Sequence, residues 1–242
     1  MINIWNTLFY EPLYNGLVFL VSVVPFADVG IAVVALTLLV KIILLPFSHK
    51  SVKTQSEMKR LDPEIKEIKK KYEKDKQEQA RKTMELYKQH GLNPFSGCLM
   101  IFIQIPVIFA LYWIFWKELA LDGLNMDLLY SFTLIPEYMN MNFLGLIDMQ
   151  GKSYVLALIA GVSQYFQIKL SMPQFKATEG KTGSFKDGLM KSMNLQMRYV
   201  LPIFVFIIAY TISAAVALYW ATSNLFSVGH ELLVKRKAKE IQ

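Results

Sequence analysis

Cysteine is almost absent from the chain, with Cys98 as the single example in 242 residues. One thiol cannot close an internal disulfide, and without a second cysteine or a neighbouring histidine it gives no metal cluster. The sequence therefore predicts neither redox chemistry nor a metal site. Charged residues are also few, at 19% of the chain, whereas soluble domains have about a quarter. This shortage points away from an ordinary soluble domain.

Sequence motifs of hydrolytic enzymes are also missing. His49, His90 and His230 stand in Ser-His-Lys, Gln-His-Gly and Gly-His-Glu, and none of them belongs to a His-Glu-x-x-His zinc motif. The chain has no Gly-x-Ser-x-Gly nucleophile elbow and no Gly-x-x-x-x-Gly-Lys phosphate loop. We therefore expect no catalytic residue, no cofactor and no nucleotide hydrolysis, so that the protein is not an enzyme.

Apolar residues make up 54% of the chain, and they gather in runs of about 17–20 residues, the length that crosses a bilayer. Five runs are candidate spans, at residues 29–47, 99–116, 154–172, 199–210 and 213–232. The last two are read as a close helical hairpin that turns near Thr211, and a single tilted helix is the alternative. The sequence therefore predicts an all-α polytopic membrane protein with five transmembrane helices.

Basic residues are unevenly divided among the polar segments. Residues 48–94 hold 13 Lys or Arg, residues 173–198 hold five, and four more follow Leu232. The charged residues of the segment before the first span and of the loop 117–151 are mainly acidic. The positive-inside rule then gives an outside N-terminus and a cytoplasmic C-terminus, which requires an odd number of spans. The net charge of +7 therefore reflects orientation in a membrane, and we expect no direct nucleic-acid readout.

The N-terminal segment has apolar residues at helical spacing that end at Pro25, with no basic flank. This pattern predicts a helix lying in the outer interface, and a sixth, short span is the alternative. The predicted segments are an outer interfacial helix 1–27, first span 28–47, cytoplasmic helical hairpin 48–94, second span 95–116, outer loop 117–152, third span 153–172, cytoplasmic loop 173–197, fourth and fifth spans 198–232, and basic cytoplasmic tail 233–242.

The large cytoplasmic segment has the apolar spacing of a coiled-coil seam. The seam residues are Met58, Leu61, Ile65, Ile68 and Tyr72, continued by Ala80, Met84 and Tyr87. Two antiparallel helices explain the break near Asp75, and Asp62 before Pro63 predicts a helix cap at which the first arm begins or bends. Both a solvated spacer and a docking element fit this pattern.

Lys41 is the one strongly charged residue well inside the first span, where insertion of a lysine costs about 2.5–3.5 kcal/mol. Snorkelling to the inner surface is one explanation. The other is a wet, inward-opening cavity, because seven more polar side chains fall at similar depth on several spans. They are Thr37, Gln104, Gln164, Gln167, Trp220, Asn224 and Ser227. Scattered polar residues also act as packing contacts, worth about 0.6 kcal/mol each.

The predicted cavity leaves two rival functions open. The spans offer no acidic partner for Lys41, which argues against a proton-coupled transporter. A small anion channel or carrier that uses Lys41 as its binding site remains the main alternative to a protein-handling groove. A purely structural role, with the hairpin as a scaffold, is the second.

Several short stretches have the form of a family signature. They are Leu86-Tyr87-Lys88, Gly-Leu-Asn-Pro-Phe-Ser-Gly-Cys-Leu at 91–99, Gln104-Ile105-Pro106, Ala110-Leu111-Tyr112, Phe143-Leu144-Gly145 with Asp148, Gln164, and Leu218-Tyr219-Trp220 with Ser223-Asn224-Leu225. Together they resemble the YidC-type membrane protein insertases of the YidC/Oxa/Alb family, in a short bacterial form, over roughly residues 5–234.

The resemblance implies a five-span core with a positively charged hydrophilic groove, open to cytoplasm and lipid and closed outward. It implies a bacterial inner-membrane insertase and chaperone whose partners are nascent membrane proteins, the ribosome through the cytoplasmic loops, the Sec translocation channel and the lipid bilayer. In that family the groove cation is typically an arginine, which aligns with Lys41. Lysine keeps the charge and loses the planar fork that grips a carboxylate with two hydrogen bonds.

Overall fold

The computed structural model describes residues 2–93, 96–119, 124–171 and 195–240. The predicted cytoplasmic loop 173–197 lies outside these ranges except for its last three residues, and the side chain of Cys98 also lies outside the described part. We call the end of the molecule that carries residues 124–153 the outer end, and the end that carries residues 61–92 the inner end.

The N-terminal segment is a nearly continuous helix. Helix α1 (Ile2–Trp5) passes through a π-helical turn (Asn6–Tyr10) into α2 (Glu11–Val23), and Pro25 follows its end. Apolar side chains on one face of α2, including Tyr14 and Leu17, are fully buried. The helix therefore packs on the rest of the protein along one face and leaves the other face apolar and exposed.

The predicted first span is divided by a bend. Helix α3 (Val29–Ile43) ends at Leu44, and α4 (Leu45–Arg60) leaves at an angle of 64°. Pro46 causes the break, because it lacks a backbone N–H and its ring clashes with the carbonyl four residues earlier. The predicted span 28–47 therefore covers α3 and the first three residues of α4. By length and apolar composition no single described helix qualifies as a membrane span, whereas α3 and α4 qualify together as a bent pair.

Two further helices form a small hairpin at the inner end, α5 (Asp62–Lys71) and α6 (Lys76–Gln89). Leu61, Ile65 and Leu86 are buried between them. Met84, which the seam pattern placed inside, is exposed. Asp62 lies in the first turn of α5 and does not cap it; Asp75 caps α6 instead, accepting hydrogen bonds from the next turn.

The described residues after Asn93 include four α-helices. Helix α7 (Ser96–Trp113) continues as a π-helical turn (Ile114–Glu118) and leads to the outer loop, where β1 (Asn142–Phe143) pairs antiparallel with β2 (Ile147–Asp148). Helix α8 (Tyr154–Ser171) follows. A π-helical turn (Gln196–Val200) then precedes α9 (Leu201–Ile212) and α10 (Ala214–Glu240). Ser213, in an extended conformation, is the single residue between α9 and α10.

Small residues allow the helices of the core to approach closely. Helix α8 packs on both α9 and α10, and α10 also packs on α3. Completely or almost completely buried alanines lie along these contacts, namely Ala32, Ala157, Ala160, Ala209, Ala214, Ala215 and Ala217. Small side chains at helix interfaces are typical of packing in membranes, where close backbone approach replaces the hydrophobic effect. This packing places the polar positions of α3, α8 and α10 near one another.

Candidate functional site

Lys41 lies on α3 with its side chain turned into the bundle, and only 9% of the residue is exposed. Its ammonium donates hydrogen bonds to two oxygens on other helices. One is Gln104 Oε1 on α7, at 3.5 Å, and the other is Ser227 Oγ on α10, at 3.2 Å. The cation is therefore held between three helices and does not snorkel to a free surface.

The partners of Lys41 are electrically neutral. Among the described residues no carboxylate lies within ion-pair distance of its ammonium. A buried charge is normally paired, because the cost of removing it from water is recovered by an opposite charge. An ammonium with two neutral acceptors is therefore a site that favours an arriving anion.

The neighbours of Lys41 extend the hydrogen bonding along α10. Ser227 donates its own proton to the carbonyl of Ser223 at 2.9 Å, so its oxygen is left to accept from Lys41. Gln104 accepts from Lys41 through Oε1 and donates through Nε2 to the hydroxyl of Tyr219. We call Lys41, Gln104, Tyr219 and Ser227 the Lys41 cluster.

A second polar cluster lies between α8 and α10. Gln164 Oε1 accepts two hydrogen bonds at 3.1 Å, from Trp220 Nε1 and from Asn224 Nδ2. Asn224 Nδ2 also lies 3.3 Å from Ser163 Oγ, and Gln164 Nε2 donates to Gln167 Oε1 at 3.1 Å. We call these five residues the Gln164 cluster. Its amides provide both donors and acceptors deep in the helix bundle.

The eight residues predicted from sequence are thus divided among three places. The Lys41 cluster contains three of them, and the Gln164 cluster contains four: Gln164, Gln167, Trp220 and Asn224. Thr37 is buried and donates to Val33 of its own helix at 2.6 Å. Within the described ranges no hydrogen bond joins the two clusters, although both use α10. Seven of the eight predicted residues therefore belong to two neighbouring hydrogen-bonded networks, and Thr37 lies outside both.

Two members of these clusters were not among the predicted site residues. Tyr219 lies eight residues before Ser227, a spacing that brings two side chains to one face of a helix. Ser163 lies next to Gln164 and faces Asn224 across the helix contact. Neither residue is charged or otherwise conspicuous in composition, which is why both were missed. Both could have been found by following the helical face of the predicted residues.

Polar groups join α4, α8 and α10 at the inner end, and one of them is a buried carboxylate. Glu231 on α10 is 2% exposed and accepts hydrogen bonds from Ser171 at 2.6 Å and from Lys235 at 2.5 Å. Lys59 on α4 and Lys235 both donate to the carbonyl of Leu170. Burial, reinforced by the charge of Lys235, lowers the pKa of Lys59 to about 8. We call these five residues the inner junction.

At the outer end, buried hydrogen bonds join the outer loop to α2. Asn15 accepts from the backbone of Tyr130 and the hydroxyl of Thr133, both at 2.7 Å, and donates to the carbonyl of Leu128. Glu118 accepts from Tyr10 at 2.7 Å. Burial and this carboxylate raise the pKa of Tyr10, which keeps its hydroxyl protonated as a donor. The described part of the outer loop is therefore fixed to α2 by buried hydrogen bonds.

The fold and the site together define a mainly α-helical protein with buried polar clusters between its helices. The chain belongs to the family described as 60Kd inner membrane protein, whose sequence model matches residues 19–241. This match confirms the resemblance that the sequence motifs indicated.

Relatives from three bacteria bear the name membrane protein insertase YidC. The chain is 35% identical over 208 residues to the protein of Fusobacterium nucleatum, covering 86% of each chain. It is 33% identical over 207 residues to the protein of Clostridium tetani, covering 86% of this chain and 81% of the relative. It is 32% identical over 238 residues to the protein of Oceanobacillus iheyensis, covering 97% and 84%.

Proposed function

We propose that this protein inserts other proteins into the bacterial inner membrane without nucleotide hydrolysis. In this proposal the two clusters line a groove that receives the hydrophilic N-terminal segment of a nascent membrane protein. The apolar helix of that protein then passes into lipid. The observation that carries the proposal is the buried ammonium of Lys41, which has only neutral partners among the described residues.

The charge of Lys41 gives the groove a preference for acidic segments. Moving one aspartate to the centre of a bilayer costs about 2.5–3.5 kcal/mol. A carboxylate that reaches Lys41 gains an opposite charge inside the bundle and so recovers part of this cost. The groove thereby lowers the barrier at the stage when the polar segment has left water and has not yet crossed.

The amides of the Gln164 cluster extend the preference to uncharged polar segments. An amide side chain donates and accepts, so Gln164, Gln167 and Asn224 can pair with peptide backbone of any sequence. Their present partners include each other, Trp220, Ser163 and the carbonyl of Ala160. An entering chain would exchange these hydrogen bonds for similar ones, with little net change in free energy.

An apolar surface beside the Gln164 cluster suits the rest of the substrate. A shallow depression of about 360 Å³ between α8 and α10 is lined by Leu158, Ile159, Val162, Ser163, Phe166 and Leu225. Since Ser163 belongs to both surfaces, a substrate could keep its polar segment on the amides and its apolar helix in this depression. A membrane potential that is positive outside would pull an acidic segment outward with about 2.3 kcal/mol per charge per 100 mV.

The proposal includes an orientation and partners. Five spans are proposed, with the N-terminus outside and the C-terminus in the cytoplasm, and α4, α5 and α6 then face the ribosome. The basic residues of residues 48–94 support this side by the positive-inside rule. Assistance from the Sec translocation channel is part of the same proposal.

Site-specific photo-crosslinking tests the proposal directly. A photoreactive residue is placed at Gln104, Gln164 or Trp220, with an exposed control at Asp127, and ribosome-bound nascent membrane protein is added. The proposal expects adducts from the three groove positions and none from position 127. It is rejected if all three groove positions fail to capture a chain that is inserted in the same membranes.

Charge reversal separates this function from an anion carrier. In Lys41→Glu, the insertase proposal expects loss of insertion of acidic-tailed substrates. An anion channel or carrier would lose anion uptake into vesicles and leave protein insertion unchanged. Measuring both activities on the same vesicles decides between the two.

A further inference from the structure

Two large apolar residues at the outer end combine backbone strain with exposure. Phe26 has a φ of 60° and Leu144 a φ of 52°, in the left-handed region that side chains other than glycine rarely adopt. Phe26 is 78% exposed and Leu144 is 63% exposed. Strained residues persist where the surrounding structure holds them for a purpose. At both positions a strained backbone carries an exposed apolar side chain.

Hydrogen bonds join the turn that carries Phe26 to the turn that carries Leu144. The side chain of Asp28 accepts from the backbone N–H of Leu144 at 2.8 Å, and it also caps α3 by accepting from Ile31. The backbone of Asn140 donates to Ala27 and accepts from Val29, both at 3.0 Å. Phe26 and Leu144 therefore project from two turns that are tied side by side, and their exposure does not come from a loose loop.

The outer loop carries large apolar side chains on both of its sides. Leu128, Met139, Phe143 and Ile147 pack against the core, and Met149 is fully buried. Several large apolar side chains are exposed on it, namely Phe132, Leu134, Ile135, Leu144 and Leu146. Exposed apolar surface on this scale is typical of a site that contacts another protein or a membrane.

We propose that Phe26, Phe132, Leu134, Ile135, Leu144 and Leu146, here called the outer rim, are seated in the boundary between headgroups and acyl chains of the outer-leaflet phospholipids. The proposed orientation in the membrane decides only that this leaflet is called the outer one. It goes beyond the insertase function, which assigns no ligand to this surface.

Continuity with the flanks of the helices favours lipid as the occupant. Val23 at the end of α2 is exposed and leads directly to Phe26. Trp116 after α7 and Tyr154 at the start of α8 are exposed aromatic residues at the same end of the bundle, and aromatic residues of this kind anchor proteins at membrane interfaces. Lipid that covers the helices thus reaches the rim without a change of surface chemistry.

Depth measurements in vesicles test the proposal. Starting from Cys98→Ser, single cysteines at Phe132, Leu144 and Leu146 are labelled with a fluorophore, and Asp127, an exposed polar residue of the same loop, is the matched control. The vesicles contain phosphatidylethanolamine and phosphatidylglycerol with or without a spin-labelled phospholipid. Lipid quenching at the three rim positions is expected to exceed that at position 127 at least threefold, and iodide quenching is expected to be weaker there.

Two results would overturn the proposal. One is iodide quenching at the rim positions equal to that at position 127, which would place the rim in water. The other is protection from both quenchers, which would place a protein partner or a second copy on the rim. Neither result depends on insertion activity, so the rim proposal and the insertase proposal can fail separately.

A second variant covers the case in which labelling disturbs the loop. Glycine adopts the backbone conformation of residue 144 without strain, so Leu144→Gly removes the side chain and keeps the turn. The proposal expects the unfolding temperature of Leu144→Gly in detergent to stay within about 2 °C of that of the parent protein. It also expects a smaller fluorescence change on transfer from detergent to vesicles, read from a label at position 146. A large drop in unfolding temperature would overturn it, since the leucine would then pack against protein.

Discussion

Lys59 on α4 and Lys235 on α10 donate hydrogen bonds to the same oxygen, the carbonyl of Leu170, each at 2.7 Å. Two ammonium groups on one acceptor repel each other. The arrangement is tolerated because Leu170 lies at the C-terminal end of α8, where unpaired carbonyls attract cations, and because Glu231 accepts from Lys235. The inner junction therefore couples the helix that follows the bend to the last helix of the chain.

The pKa of Lys59 can be tested at this junction. It is lowered to about 8, first by burial and then by Lys235, whereas Glu231 opposes the shift. We expect an NMR titration of the labelled lysine to have its midpoint near 8. Lys235→Met should raise the midpoint and Glu231→Gln should lower it. An unshifted midpoint in the parent protein would contradict the burial of Lys59.

The same shift has a consequence for stability. Below pH 8 Lys59 is charged in both folded and unfolded protein, and its burial penalty is fully present. Between about 8 and its ordinary pKa of 10.5, the folded protein loses the proton first, so this group's contribution to stability rises with pH. Lys59→Met is expected to remove that rise in the unfolding midpoint measured across this interval.

Removal of Glu231 is expected to destabilise the protein strongly. Its carboxylate is buried and serves both Ser171 and Lys235, so Glu231→Ala leaves Lys235 without its counter-charge. Breaking a buried ion pair on one side costs about 3–5 kcal/mol, which thermal unfolding in detergent would register. Glu137→Ala, at an exposed position, is the control and should change little. Equal behaviour of the two variants would refute the role of Glu231.

A glycine at the start of α3 is expected to be irreplaceable. A Cβ at Gly30 would overlap the ring of Phe143, so Gly30→Ala should lower the unfolding midpoint, and adding Phe143→Ala should restore part of the loss. Gly229→Ala is the matched control, because nothing lies within 4 Å of its Cβ position, and it should raise stability by about 0.5–1 kcal/mol. If both single variants behave alike, Phe143 does not pack on Gly30.

Gln164 is expected to matter more than a general packing residue. Gln164→Leu removes the acceptor of both Trp220 and Asn224. Asn224 keeps Ser163 and the carbonyl of Ala160 as acceptors, whereas Trp220 Nε1 is left without one. An unpaired donor costs about 1–3 kcal/mol, so stability should fall together with crosslinking of polar segments. Gln164→Glu keeps the acceptor and places a negative charge in the cluster. We expect this variant to retain the fold and to reject acidic segments, as measured by insertion of substrates that differ only in tail charge.

The helical membrane class and the family could be predicted from sequence because both rest on local signals. Long apolar runs and short motifs can be recognised in a sequence without knowledge of tertiary contacts. Helix α8, for example, begins at Tyr154, where the apolar run also begins. Lys41 was identified for the same reason, since a charge in such a run is visible in the sequence alone.

The division of the site into two clusters could not be predicted, because it depends on how helices rotate against one another. Depth along a span places Gln104 and Gln164 at one level, but only the packing of α8 on α10 turns Gln164 toward Trp220. The inner junction was missed for another reason. Glu231 lies near the predicted end of the last span, where a carboxylate is ordinary, and its burial comes from α4 and α8. The bend at Leu44 did have a local signal in Pro46.

The charge of Lys41 is the centre of this account, and one set of measurements tests it. Lys41→Met and Lys41→Arg are reconstituted in vesicles, with Lys152→Met as a control at the outer end, and substrates with acidic or uncharged tails are supplied. The account predicts that Lys41→Met loses about tenfold in insertion of the acidic tail, equivalent to about 1.4 kcal/mol. It predicts little loss for the uncharged tail, and near-normal insertion by Lys41→Arg and Lys152→Met. Equal losses for both tails in Lys41→Met would contradict it.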